Sequence, residues 1–187
     1  MPAFESRIDL KSDAALANRA GHLKLLDEVR GLEAKVRANS AKSAKKFEER
    51  GQLLPRDRID LLLDRGTPFL ELSTLVGLRM HDDDGADNTS GGGVITGIGT
   101  VSGARVVVTA SDSGIKGGAA TPMGVDKSLR AQALALENKL PFVQLVESAG
   151  ANLLRQAEIL QEFGGLAFVE LDFGRASLKK ITHFLKV

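Results

Sequence analysis

A chain of 187 residues with 43% apolar content can bury one ordinary core, or form part of a larger one. Its net charge of +1 supplies no field for nucleic acid or an anionic membrane, and the absence of cysteine excludes disulfides, thiolate metal sites and a cysteine nucleophile. With neither Trp nor Tyr, stacking on single-stranded nucleic acid would fall to Phe or His; the start, MPAFESRIDLKSDAA, lacks a signal-peptide core, and no apolar run approaches a membrane span, so the expectation is a soluble cytoplasmic protein.

From Ser12 to Arg50 the pattern is helical. Ser12 or Asp13 can cap, Leu16, Leu23, Leu26, Val29, Leu32 and Val36 recur at spacings of three, four and seven, and Gly51 is a stop. A helical arm packed on its own domain or on a neighbouring subunit is expected. A basic amphipathic helix on a membrane is the alternative, diluted by Glu33, Glu48 and Glu49. Next, Pro55 suits a first helical position, Ile59, Leu62 and Leu63 form an apolar face, Arg65-Gly66 ends the helix, and Phe69-Leu70-Glu71-Leu72 reads as a short strand. Arg56 and Arg58 offer either phosphate ligands or a solvated helix face. His81-Asp82-Asp83-Asp84 resembles a metal cluster but has no second ligand group at a defined spacing, so it reads as a solvated loop, and no metal is expected.

Val94 to Ala110 reads as a hairpin turning at Ser102-Gly103. Gly97 and Gly99 are not followed by a helix or a third glycine, so a dinucleotide fingerprint fails. Ser111 to Ala120 is a glycine-rich loop whose Lys116-Gly117-Gly118 lacks the lysine placement of a phosphate-binding P-loop. A helix is expected over Val125–Asn138, with Leu129, Gln132, Ala133 and Leu136 on one side. The stretch KLPFVQLVESAGANLLRQ then reads as a buried strand (Phe142, Val143, Leu145, Val146), a small-residue bend (Glu147, Ser148, Ala149, Gly150, Ala151) and a helix from Asn152 to Leu160. Such a bend leaves peptide N–H groups open to a ligand carbonyl, as in an oxyanion hole; otherwise it is only a tightly packed strand-to-helix turn. If the strands are parallel, the order of elements is a right-handed α/β crossover.

Three stretches, RGQLLPRDRIDLLLDRGTPFLEL, GGGVITGIGTVSGARVVVTASD and KGGAATPMGVDKSLRAQALALENKLPFVQLVESAGANLLRQAEI, together resemble the amino-terminal part of the carboxyltransferase β-subunit of biotin-dependent acyl-CoA carboxylases. The spelling ESAGANLLRQAEI is most similar to the methylcrotonyl-CoA and geranyl-CoA branch, where Asp-Ser-Gly-Gly-Ala-Asn and Leu-Pro-Arg-Gln are common. The resemblance covers roughly residues 20–160 and implies an α/β, crotonase-like spiral of ββα units. Residues 1–51 would form the helical arm, 52–165 a partial acyl-CoA-binding domain, and 166–187 a divergent tail.

The resemblance further implies carboxyl transfer from carboxybiotin, carried on a biotin carboxylase or carboxyl carrier subunit, to an acyl-CoA such as 3-methylcrotonyl-CoA, within a homo-oligomer. Carried over by position, the backbone N–H groups of Ala149 and Gly150 are the expected oxyanion donors. Lys116, Gly117, Gly118, Ser148 and Ala151 are the expected substrate-binding residues. Ala149 stands where the family has glycine and Leu154 where it has proline. After Glu162 the pattern stops and the biotin-binding half is missing, so a truncated or split product, inactive alone, is expected. His183 carries no role. A non-catalytic CoA-binding or assembly module is the alternative, and a malonyl-type thioester decarboxylase a weaker one.

Overall fold

The computed structural model describes residues 9–80 and 90–147. They fall into two compact units divided between Lys35 and Val36. Helix α1 (Asp13–Ala41) supplies most of the first unit. Ser12 caps it: the hydroxyl accepts from the Ala15 N–H at 3.3 Å and donates to the Asp9 carbonyl at 2.8 Å. Leu16, Leu23, Leu26 and Val29 are exposed along it.

The expected single helix from Ser12 to Arg50 is two. After α1 the chain turns at Lys42-Ser43 and resumes as α2 (Ala44–Glu49), which Gly51 ends in the left-handed region at φ 64°. The interruption coincides with two side-chain bonds to a distant loop. Ser40 Oγ donates to Asp112 Oδ1 at 2.7 Å and Ser43 Oγ to the Gly114 carbonyl at 2.8 Å. Serine near a helix end readily trades helical continuity for such bonds.

The second unit is built on a four-stranded sheet in the order β1 (Leu70–Glu71), β2 (Val94–Val101), β3 (Ala104–Ser111), β4 (Phe142–Leu145). Strands β1, β2 and β3 are antiparallel neighbours, and β4 lies parallel to β3. The β2–β3 turn is where the sequence puts it. Ser102 and Gly103 take φ of 50° and 77°, the pair of positive values that a two-residue hairpin needs. Asp64 holds the turn, accepting from both backbone N–H groups at 2.7 Å.

Strand β3 is covered on both faces, which explains its unbroken apolar run. On one side Val106, Val108 and Ala110 pack with Ile95 against Ile59 and Leu63 of helix α3 (Pro55–Leu62) and its end; on the other, Val107 packs against Ala131 and Ala135 of helix α4 (Pro122–Glu137). Gly97 and Gly99 are bare for packing: a Cβ on the first would collide with the Phe69 ring and on the second with Leu63.

Helix α4 starts three residues before the expected Val125, because Thr121 caps it by accepting from the Gly124 N–H at 3.0 Å and Pro122 occupies the first turn. Its buried side also differs from expectation. Val125, Ser128, Ala131, Gln132 and Ala135 face inward, while Leu136 is exposed. Among the described residues no helix is long and apolar enough to cross a membrane.

Candidate functional site

Parallel pairing of β3 with β4, Val107 opposite Phe142 through Ala110 opposite Leu145, brings the carboxyl ends of both strands to one edge of the sheet. In α/β sheets that edge is where ligands gather. The loop bearing Lys116, Gly117 and Gly118 leaves from β3, and Ser148 comes three residues after β4 in the chain. Sequence reasoning therefore singled out two segments that follow neighbouring parallel strands. Ser148, Ala149, Gly150 and Ala151 themselves lie outside the described residues, as do His81–Asp84 and the stretch 152–187.

The β3 loop is a left-handed turn. Lys116, Gly117 and Gly118 have φ of 47°, 66° and 79°, and within the turn Gly118 N–H donates to the Ile115 carbonyl and Ala119 N–H to the Lys116 carbonyl. Lys116 and Gly117 are exposed and Gly118 is buried. Asp112 secures the start of the loop: its carboxylate accepts from Ser40 Oγ and the Gly114 N–H, and its own N–H donates to the Gly93 carbonyl.

Beneath the loop lies a buried ionic cluster that sequence reasoning missed. Arg56 forms two 2.8 Å bonds to the carboxylate of Glu71, and Arg37 adds a 3.5 Å contact from the rim. Lys127 is buried on α4, and its ammonium donates to the carbonyls of Val94 at 2.6 Å and Gly91 at 3.2 Å. Burial favours the neutral form of each group. It wins at Lys127, driving the ammonium down to about 8 even though Glu71 and Asp112 support the charge. It wins also at Asp112, which is raised despite the Ser40 bond. At Glu71 burial is outweighed by Arg56, Arg37 and Lys127, and the carboxyl is lowered. At Arg56 burial is likewise overcome by Glu71, and the guanidinium is held above its ordinary value.

Arg56 is therefore neither a phosphate ligand nor a solvated side chain, and Arg58 is committed too. Arg58 Nη1 donates to Glu147 Oε2 at 2.7 Å and Nη2 to the Leu145 carbonyl at 3.3 Å. No signal in the sequence marked Lys127: it lies between the inward-facing Val125 and Ser128, on a side of α4 that the apolar pattern does not pick out. Among the described residues no group of acidic or histidine side chains is disposed to hold a metal.

Residues 46–178 match the model of the carboxyl transferase domain. The probable methylcrotonoyl-CoA carboxylase beta chain, mitochondrial, of Drosophila melanogaster is 40% identical over 92% of this chain and 28% of its own length. The biotin-dependent 3-methylcrotonyl-coenzyme A carboxylase beta1 subunit of Mycobacterium tuberculosis is also 40% identical, over 88% of this chain and 31% of its own. Among solved structures, the beta subunit of P. aeruginosa geranyl-CoA carboxylase superposes with a TM-score of 0.78 at 48% identity, covering 87% of this chain and 30% of that one. A transcarboxylase 12S structure, at 23% identity and a TM-score of 0.70, shares the fold. The chain thus spans less than a third of the length of these relatives.

Proposed function

Because the chain belongs to the carboxyl transferase domain family and has its α/β, crotonase-like fold, we propose that it is the acyl-CoA-binding part of a carboxyltransferase. The acceptor is an acyl-CoA of the 3-methylcrotonyl or geranyl class. The carboxyl group comes from biotin carried on a partner subunit, in an oligomer as in the family resemblance. The observation that supports the reading is the parallel β3–β4 pair, whose carboxyl ends lie at one edge of the sheet and are followed in the chain by the two segments singled out, Lys116–Gly118 and Ser148–Ala151.

In this reading Ala149 and Gly150 donate backbone N–H groups to the thioester oxygen, and Lys116, Gly117, Gly118, Ser148 and Ala151 line the path of the CoA. Charge develops on that oxygen as the acyl group becomes an enolate, so fixed amide donors lower the barrier without any side-chain acid or base. One further reading is a CoA-binding or assembly module without turnover of its own, supported by β4, which among the described residues pairs on one side only.

Proline at position 150 removes one N–H donor. Calorimetry of the chain with 3-methylcrotonyl-CoA is expected to give saturable binding, weakened about five- to tenfold by Gly150→Pro, in line with about 1 kcal/mol per hydrogen bond, and little changed by Ala149→Gly. Equal affinity for the Gly150→Pro variant, or no binding by the unaltered chain, overturns the proposal.

A further inference from the structure

We infer that Arg58 is a positioning residue that sets how the chain leaves β4 towards the amide donors, an inference that rests on the reading of Ala149 and Gly150 given above. The planar guanidinium spans two acceptors on either side of Val146: the Leu145 carbonyl at the last residue of the strand, and the carboxylate of Glu147, the residue joined to Ser148. Leu145 is held by its pairing with Ala110 and by the core, but Val146 beyond it is 65% exposed and gives the chain past the strand no apolar anchor. Past Leu145 the side-chain hold that is seen comes from Arg58 of α3. That helix is a firm base, because Ile59, next to Arg58, is 2% exposed within the core.

The pair is sheltered as well as close. The Arg58 and Glu147 side chains are 24% and 30% exposed, unlike an open surface ion pair, which contributes little. Charge-assisted bonds from a rigid fork define a direction as well as an attraction. A lysine, with a point charge on a flexible stem, cannot reproduce it. Arg56, two positions earlier, has both terminal nitrogens committed to Glu71.

The test separates alignment from general integrity. The chain is titrated with 3-methylcrotonyl-CoA and with a thioether analogue of the same length that lacks the carbonyl oxygen. The unaltered chain is expected to prefer the thioester by about thirtyfold, the worth of two neutral hydrogen bonds at about 1 kcal/mol each. Arg58→Ala and Arg58→Lys are expected to reduce that preference to near onefold while keeping thioether affinity, and Glu147→Gln to leave an intermediate value. In parallel, amide exchange at Ala149 and Gly150 is expected to accelerate tenfold or more in Arg58→Ala, while Val107 and Val108 in β3 keep their protection.

An unchanged thioester preference in both Arg58 variants overturns the inference. If the unaltered chain shows no preference, the reading of Ala149 and Gly150 fails. Exchange then decides alone: unaltered rates at these two amides in Arg58→Ala overturn the positioning role, and accelerated rates sustain it. Should the alanine variant not fold, Arg58→Lys and Glu147→Gln carry the same comparison.

Discussion

Lys127 sets two demands against each other. Its ammonium supplies hydrogen bonds to the carbonyls of Gly91 and Val94, yet it is buried, facing Glu71 of β1, Arg56 of α3 and Asp112 beyond β3. Burial lowers its folded-state value from 10.5 to about 8, so between those limits the unfolded chain binds the extra proton and stability rises with pH. Below about 8 the desolvation cost is fully present. Lys127→Met removes the proton but also leaves two carbonyls without their donor, so the sign of its effect at one pH is not diagnostic; the slope is. From pH 7.5 to 10.5 the unaltered chain is expected to gain up to about 3 kcal/mol over Lys127→Met, taking 1.36 kcal/mol per pH unit. Urea unfolding at several pH values checks this, and parallel curves would place the charge in water. This residue was illegible in the sequence for a simple reason: a lysine on a helix is normally solvated, and its burial depends on carbonyls supplied by a glycine turn more than thirty positions away.

Between elements, the Gly91–Gly93 turn lies tightly against the first turn of α4. A Cβ on Gly124 would run into the Gly92 carbonyl and lie 3.0 Å from Thr121 Oγ1. Alanine ordinarily strengthens a helix relative to glycine by about 0.5–1 kcal/mol. At Gly124 the sign reverses, and Gly124→Ala is expected to cost about 1–3 kcal/mol through overpacking. Gly21→Ala and Gly31→Ala in α1, where nothing lies within 4 Å of the added carbon, are expected to raise helix stability. Thermal melts followed by circular dichroism compare all three; a stabilising Gly124→Ala would mean the two turns are not in contact. The local elements were legible where one residue type decides the backbone: Pro55 opening α3, Ser102-Gly103 turning the hairpin, the valine run of β3. Of the expected side of α4 only Gln132 is fully buried, and the rest was misread because Leu129 and Leu136 look more apolar than Ser128. Ser128 can be buried because its hydroxyl donates to the Gly124 carbonyl one turn back. The break at Lys42-Ser43 was invisible because it is made by bonds to Asp112 and Gly114, about seventy positions further on.

For the molecule as a whole, family membership was legible from several motifs in order, each forced by a local need: a proline start, a hairpin, a glycine turn, a strand leading to a small-residue bend. The proposed site was legible only as two separate segments. In the proposed reading they are joined through the parallel register of β3 and β4, a non-local pairing that no short window of sequence encodes. The same non-locality bears on activity. The chain matches relatives of which it spans less than a third. Among the described residues β4 pairs on one side only, with β3, and an open strand edge is a natural place for a further segment to add. On the proposed division of labour the chain is expected to bind acyl-CoA, and mixing it with the carboxyl-terminal remainder of the P. aeruginosa geranyl-CoA carboxylase beta subunit is expected to yield transfer that requires both pieces. Incorporation of labelled carboxyl from carboxybiotin into 3-methylcrotonyl-CoA measures it. Turnover by the chain alone would sink the division of labour, whereas binding without turnover in the mixture would favour the assembly module, because the acyl-CoA half would then be sound and only the catalytic partnership absent.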